Sequence, residues 1–125
     1  MTITSVLSPA AKRRGEVFTR RWVVELMLDL ADYVSARDLT LLTVVEPAVG
    51  SGAFWRVLLE RLTASLPVNP RWDELANALR GYDIERANIN GCRALTVEHL
   101  VAAGCATPMG GPCAPRSWRA SASMT

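Results

Sequence analysis

Val44-Val45-Glu46-Pro47-Ala48-Val49-Gly50-Ser51-Gly52-Ala53-Phe54 is the stretch that decides the fold. An apolar run (Leu41, Leu42, Val44, Val45) ends in a carboxylate, and a proline and two glycines around a serine follow. A helical pattern then runs to Leu66. The order reads as a buried strand, a tight glycine turn and a helix start. In open α/β sheets, ligands bind where such turns leave the carboxyl ends of strands. Gly50 and Gly52 can take positive φ and, lacking a Cβ, let a ligand approach the backbone. Glu46 at the strand end can accept from a ligand ammonium or hydroxyl. The turn taken alone leaves a second reading open, a strand-to-helix connection that binds nothing.

The number of glycines narrows the ligand. A dinucleotide loop carries a third glycine, and a phosphate-binding P-loop ends in Gly-Lys-Ser/Thr. Here Ala53, Phe54 and Trp55 follow Gly52, with no lysine, so the loop is not built around a polyphosphate. It resembles the first motif of S-adenosylmethionine-dependent methyltransferases. In particular it is similar to the Asp/Glu-Pro-x-x-Gly-Ser-Gly-x-Phe form found in N6-adenine DNA methyltransferases. Glu46, Pro47, Gly50, Gly52 and Phe54 carry the match.

Composition sets the frame. A chain of 125 residues is one domain at most, and half of them are hydrophobic, enough for a modest core. The net charge of +2 selects no partner. No apolar run approaches the roughly 18 residues of a membrane span. The first residues lack the layout of a signal peptide, so a cytoplasmic location is expected. Cys92, Cys105, Cys113 and His99 show no paired ligand spacing, which argues against a zinc site and for free thiols.

Residues 1–14 have little pattern and read as a flexible N-terminus. Lys12, Arg13, Arg14, Arg20 and Arg21 form a local basic cluster, able to touch a phosphate backbone or simply be solvated. Next comes an amphipathic helix with Val23, Leu26, Met27, Leu30, Ala31 and Val34 on its apolar face, and Thr19 is the expected N-cap. The segment before it, Gly15-Glu16-Val17-Phe18-Thr19, resembles the Gly-x-Phe/Tyr-Tyr/Phe-Thr-Pro motif of amino-methyltransferases of the gamma order. In that family the aromatic and the threonine pack on the methionine part of the cofactor. Phe18 and Thr19 match, while Arg20 stands where proline is usual.

A strand is expected over Leu41–Val45, a helix from Ala53 to Ser65 with Phe54, Val57, Leu58, Arg61 and Leu62 inward, and a break at Pro67-Val68-Asn69-Pro70. Residues 71–78 suit a short helix, and Leu79–Glu85 a second short strand ending in acid. A carboxylate at that place in nucleotide-binding α/β folds accepts from ribose hydroxyls. Gly81-Tyr82-Asp83-Ile84-Glu85 resembles the family's second motif, with Asp83 the first choice for the ribose and Glu85 the second. A plain helix cap is an equal reading for Asp83 taken alone. A further helix is expected over Arg86–Gly104 with Ile89, Cys92, Leu95, Val97, Leu100 and Val101 inward.

Residues 105–125 are rich in small residues, proline and glycine and read as a disordered tail, like an out-of-frame end on a shortened gene. The resemblance implies further strands there and an Asn/Asp/Ser-Pro-Pro-aromatic catalytic motif, and the sequence holds neither. Gly110-Gly111-Pro112-Cys113 superficially resembles the Pro-Cys loop of cytosine-C5 methyltransferases, but the Glu-Pro start of the glycine loop and the motif order oppose that family.

The expected fold is therefore α/β, a partial Rossmann-like methyltransferase fold over residues 15–104, cut short after its second or third strand. The implied cofactor is S-adenosylmethionine and the implied substrate DNA, in a restriction-modification setting. The chain alone is expected to be inert. A non-catalytic module or gene remnant completed by a partner chain, and a methyltransferase half for another substrate, stay open.

Overall fold

The computed structural model describes residues 19–105. Phe18, the basic residues 12–14, Cys113 and all of the expected tail but its first residue, the buried Cys105, lie outside them. Helix α1 (Arg21–Leu30) leads through a 3-10 turn (Leu39–Leu41) into strand β1 (Val44–Glu46). Helix α2 (Ala53–Ala64), a longer 3-10 segment (Trp72–Asn77), strand β2 (Leu79–Gly81) and helix α3 (Arg86–Ala102) follow. The two strands pair in parallel, with Val44 opposite Leu79 and Glu46 opposite Gly81. The expected α/β order is thus present as one βαβ unit flanked by two further helices.

Both strands are shorter than the sequence suggests. Asp38 accepts from the Thr40 amide at 3.1 Å and starts the 3-10 turn, which takes Leu41 out of the expected strand. Leu41 is exposed as a result. β2 stops at Gly81 because the chain turns there to bring the Asp83 carboxylate back onto the Glu85 amide at 2.8 Å.

Helix α2 lies between α1 and α3 and buries Trp55, Val57, Leu58, Leu59 and Leu62. Five buried positions in twelve residues form a broad apolar arc, as a helix covered on several sides requires. Trp55 is fully buried and donates its indole N–H to Thr96 Oγ1 at 2.7 Å. The same hydroxyl donates to the Cys92 carbonyl at 2.9 Å, so the buried polar group is satisfied on both counts. Periodicity places Val97 and Val101 inward on α3. Thr96 is buried instead, Val97 is half-buried and Val101 is exposed, because the Trp55 indole turns the helix to meet that hydroxyl. Gly104, at φ +107°, ends α3 and lets the Cys105 amide return to the Leu100 carbonyl at 2.9 Å. Cys92 is a free, buried thiol, whereas Cys105 is disulfide-bonded, which corrects the free-thiol expectation for that residue.

Helix α1 departs furthest from its sequence pattern. Val24 and Leu28 are buried, while Trp22, Leu26, Met27 and Leu30 face outward. Charged bonds flank the buried pair. Arg61 of α2 donates to Asp29 Oδ1 at 2.7 Å, to the Tyr33 carbonyl at 3.1 Å and to the Glu25 carbonyl at 3.3 Å. Arg21 bonds Glu60 of α2 and Glu25 on its own helix. Val24 and Leu28 are thus the buried edge of the helix, Arg21, Glu25 and Asp29 beside them bond α2 or their own helix while staying partly exposed, and the apolar arc beyond is left in solvent. The cap shifts too. Arg20, not Thr19, is the N-cap, with its carbonyl accepting from Val23 and Val24 and no side-chain cap bond.

The exposed arc can be tested directly. Leu28, 6% exposed, should lose about 2–5 kcal/mol of stability on truncation to alanine, as buried leucines do. Leu30, 79% exposed, should lose no more than about 0.5 kcal/mol. Urea unfolding of the two variants beside the wild type measures both, and equal losses would reinstate the face expected from periodicity.

Candidate functional site

The site lies at the carboxyl ends of β1 and β2. Beyond the paired residues the two chains stay in register through the backbone of Tyr82. Its amide donates to the Glu46 carbonyl at 2.9 Å, and its carbonyl accepts from the Val49 amide at 3.0 Å. The loop then folds over the strand ends. Ala48 N–H donates to Glu46 Oε1 at 3.1 Å, Gly50 N–H to Asp83 Oδ2 at 2.9 Å and Gly52 N–H to the Val49 carbonyl at 2.9 Å. Most amides from 48 to 52 thus already have acceptors inside the protein. A phosphate cradle needs such amides pointing at its ligand, so the geometry agrees with the missing lysine and third glycine.

The two loop glycines have different tasks. Gly52 (φ +88°) is the N-cap of α2 and is buried, and a Cβ there would stand 3.4 Å from the Leu95 side chain of α3. Among the described residues, Gly50 (φ +53°) has nothing beyond its two chain neighbours within 4 Å of where its Cβ would be. Both conformations favour glycine, but only at Gly50 does the missing side chain leave open space beside the backbone. A third glycine also belongs to the site. A Cβ on Gly81 would stand 2.7 Å from Val49 Cγ1 and 3.1 Å from Trp55 Cζ3. In the sequence Gly81 stands only as the start of the second motif. A glycine inside a strand is the available signal, since it often marks close backbone approach.

The carboxylates gather here as expected. Glu46 and Asp83 are both half-buried at the strand ends. Each Asp83 oxygen accepts one backbone amide, Gly50 on one side and Glu85 on the other, and each keeps room for a second donor. Glu85 is the N-cap of α3 through its backbone, with no side-chain cap bond. Pro47 is exposed, Phe54 packs partly against the core, and Thr19 is half-buried ahead of α1. The rim is acidic, which suits ammonium, sulfonium and hydroxyl groups and disfavours phosphate. Among the described residues no cluster of three or more His, Cys, Asp or Glu could hold a metal ion. His99 contacts the Leu95 carbonyl through Nδ1 at 2.9 Å and takes no part in the rim. Among the same residues no helix is long and apolar enough to cross a membrane.

Cys92 lies beneath this rim. Burial pushes its thiol up to about 12, with Arg93 opposing and Asp83 and Glu46 adding to the rise. Burial also raises the Tyr33 phenol. The fold therefore keeps both groups neutral, while the unfolded chain ionises them nearer their ordinary values of 9.0 and 10.0. Their contribution to stability is complete below pH 9.0 and declines as pH climbs toward 12. Urea midpoints should hold steady through about pH 8 and fall above about pH 9, with a shallower fall in Cys92→Ala. A midpoint that rises with pH across that window would contradict the assignment.

Three curated proteins are similar in sequence. Over 96 residues the chain is 32% identical to the Type II methyltransferase M.XhoI of Xanthomonas vasicola, covering 73% of this chain and 18% of that protein. It is 32% identical over 91 residues to the Type II methyltransferase M.PaeR7I of Pseudomonas aeruginosa, covering 70% and 16%. The Type II methyltransferase M.BstVI of Geobacillus stearothermophilus is also 32% identical, over 78 residues, covering 58% and 14%. The matched part is thus less than a fifth of each relative. No protein-family model matches the chain, and no solved structure does.

Proposed function

The chain belongs to the Type II methyltransferase family, of which it spans a short part, and we propose that this part holds S-adenosylmethionine for N6-methylation of adenine in DNA. One observation carries the reading. The carboxyl ends of two parallel strands present open backbone at Gly50 beside the carboxylates of Glu46 and Asp83. On this reading the βαβ unit is the first part of a Rossmann-like methyltransferase sheet.

The donor and acceptor set fits the cofactor. Asp83 has acceptor capacity left on both oxygens for ribose hydroxyls, and Glu85 is the neighbouring alternative. Glu46 takes the ammonium or a hydroxyl, and the acidic rim favours a cationic ligand. Gly50 admits the ligand to the backbone and Gly52 fixes the helix start behind it. By resemblance, Phe18 and Thr19 line the methionine end, with Pro47 and Phe54 completing the loop. S-adenosylmethionine supplies a methyl group activated on a sulfonium.

Transfer needs a positioned acceptor as well. A target base must leave the duplex before its amine can be reached, and correct placement provides a large part of the rate. The 125 residues contain no Pro-Pro pair and so no Asn/Asp/Ser-Pro-Pro-aromatic motif. The chain alone therefore binds the methyl donor and transfers nothing; its own DNA contact is limited to weak attraction of phosphate to basic residues, and a partner chain would complete the domain. The open sheet edges and the apolar arc of α1 are the surfaces such a chain would cover.

Calorimetry tests the binding half. The wild type should bind S-adenosylmethionine, and Gly50→Val should weaken it at least about tenfold, since a β-branched residue neither fits φ +53° nor leaves the backbone open. Equal affinities, or no heat from the wild type, would remove the loop from the site. With tritiated S-adenosylmethionine and genomic DNA, no label should enter N6-methyladenine. Label above a no-protein control would refute inertness.

A further inference from the structure

Asp83 joins two loops. Oδ2 accepts from the Gly50 amide at 2.9 Å, a link across 33 residues, and Oδ1 accepts from the Glu85 amide at 2.8 Å. What surrounds the three site glycines shows why the first bond matters. Gly52 is backed by Leu95, and Gly81 by Val49 and Trp55, whereas among the described residues nothing beyond its two chain neighbours stands within 4 Å of the Cβ position of Gly50. Packing therefore fixes Val49 on one side of the tip and Gly52 on the other, and leaves Gly50 itself to hydrogen bonding. The donor pattern also selects the side chain. Two backbone N–H groups need two acceptor oxygens, which an ionised carboxylate has. An asparagine of the same shape has one acceptor and one donor, so one of the two amides would face an N–H.

We propose that Asp83 is the positioning residue of the glycine loop, its carboxylate holding Gly50 in the conformation that the adenosyl ligand meets. The identity of that ligand rests on the function proposed above; the clamp does not. Holding the loop and accepting from ribose are compatible, because each oxygen uses one acceptor site on an amide and keeps another. Asp83 thus supports binding in two separable ways, directly through the ribose and indirectly through the loop.

Amide hydrogen exchange and calorimetry on the full chain separate them. In Asp83→Asn the Gly50 amide should exchange about tenfold faster or more, as expected when a charge-assisted bond is lost. Amides within α2 and α3 should keep wild-type rates. Glu46→Gln should leave the Gly50 rate unchanged. Asp83→Glu keeps the charge but moves both oxygens outward by a methylene, and it should show the same selective loss at Gly50 if the asparagine variant does not fold. A Gly50 rate that is unchanged, or that rises only in parallel with the amides of α2 and α3, would overturn the clamp.

The ligand arm uses S-adenosylhomocysteine and its 2′,3′-dideoxy analogue. A positioning role predicts that Asp83→Asn weakens the dideoxy analogue as well, by about tenfold or more. Loss confined to the ligand with ribose hydroxyls would overturn the positioning role and leave Asp83 a ribose contact only. If neither ligand binds the wild type, the ligand assignment fails, and the Gly50 exchange rate by itself still decides the clamp.

Discussion

No side chain fits at residue 81. The third residue of β2 runs so close to Val49 and Trp55 that a single methyl would stand 2.7 Å from one and 3.1 Å from the other. That contact draws the glycine loop down onto β2. With the backbones this near, the Val49 amide reaches the Tyr82 carbonyl and the Gly50 amide reaches the Asp83 carboxylate. Trp55 passes the same constraint into the core, since its indole holds Thr96 and so sets the rotation of α3. A two-strand sheet is a weak element by itself. Here its strand ends are fixed by the loop that crosses them and by the tryptophan behind it.

The second organising group is the Arg61 guanidinium. Its side chain is 17% exposed and bonds Asp29 and two backbone carbonyls around α1. An arginine so far removed from water must be met by acceptors, and losing them would leave a charge poorly solvated. The charged arc of α1 supplies them, beside the Val24 and Leu28 side chains that the helix buries. The apolar arc with Trp22, Leu26, Met27 and Leu30 is left outward. The helix thus looks amphipathic in both senses, with one face satisfied inside the chain and the other available.

At the site, chemistry and geometry agree on what is excluded. The amides of Ala48, Val49, Gly50 and Gly52 already donate to protein oxygens. The side chains at the strand ends are acids. Neither feature suits a phosphate group. Both suit hydroxyl groups and positive charge. The relatives are Type II methyltransferases several times longer than the part matched.

Sequence by itself determined the order of elements and the loop. The apolar run into Glu46, the two glycines and the acid at Asp83 specify a strand, a turn and a second strand, because these are local requirements of backbone conformation and spacing. Thr96 was out of reach, since its importance depends on Trp55, distant in the chain, and Gly81 was legible only as a glycine within a strand, without the contacts that exclude a side chain there. Gly50 and Gly52 looked equivalent, and only the approach of Leu95 from α3 separated them. The burial of α1 could not be read either. Periodicity measures where apolar side chains lie around a helix, and the larger apolar arc was the natural choice for the core. The tertiary structure decided otherwise, because the narrower arc of Val24 and Leu28 entered the core where the largely covered guanidinium of Arg61 on a neighbouring helix also found its acceptors.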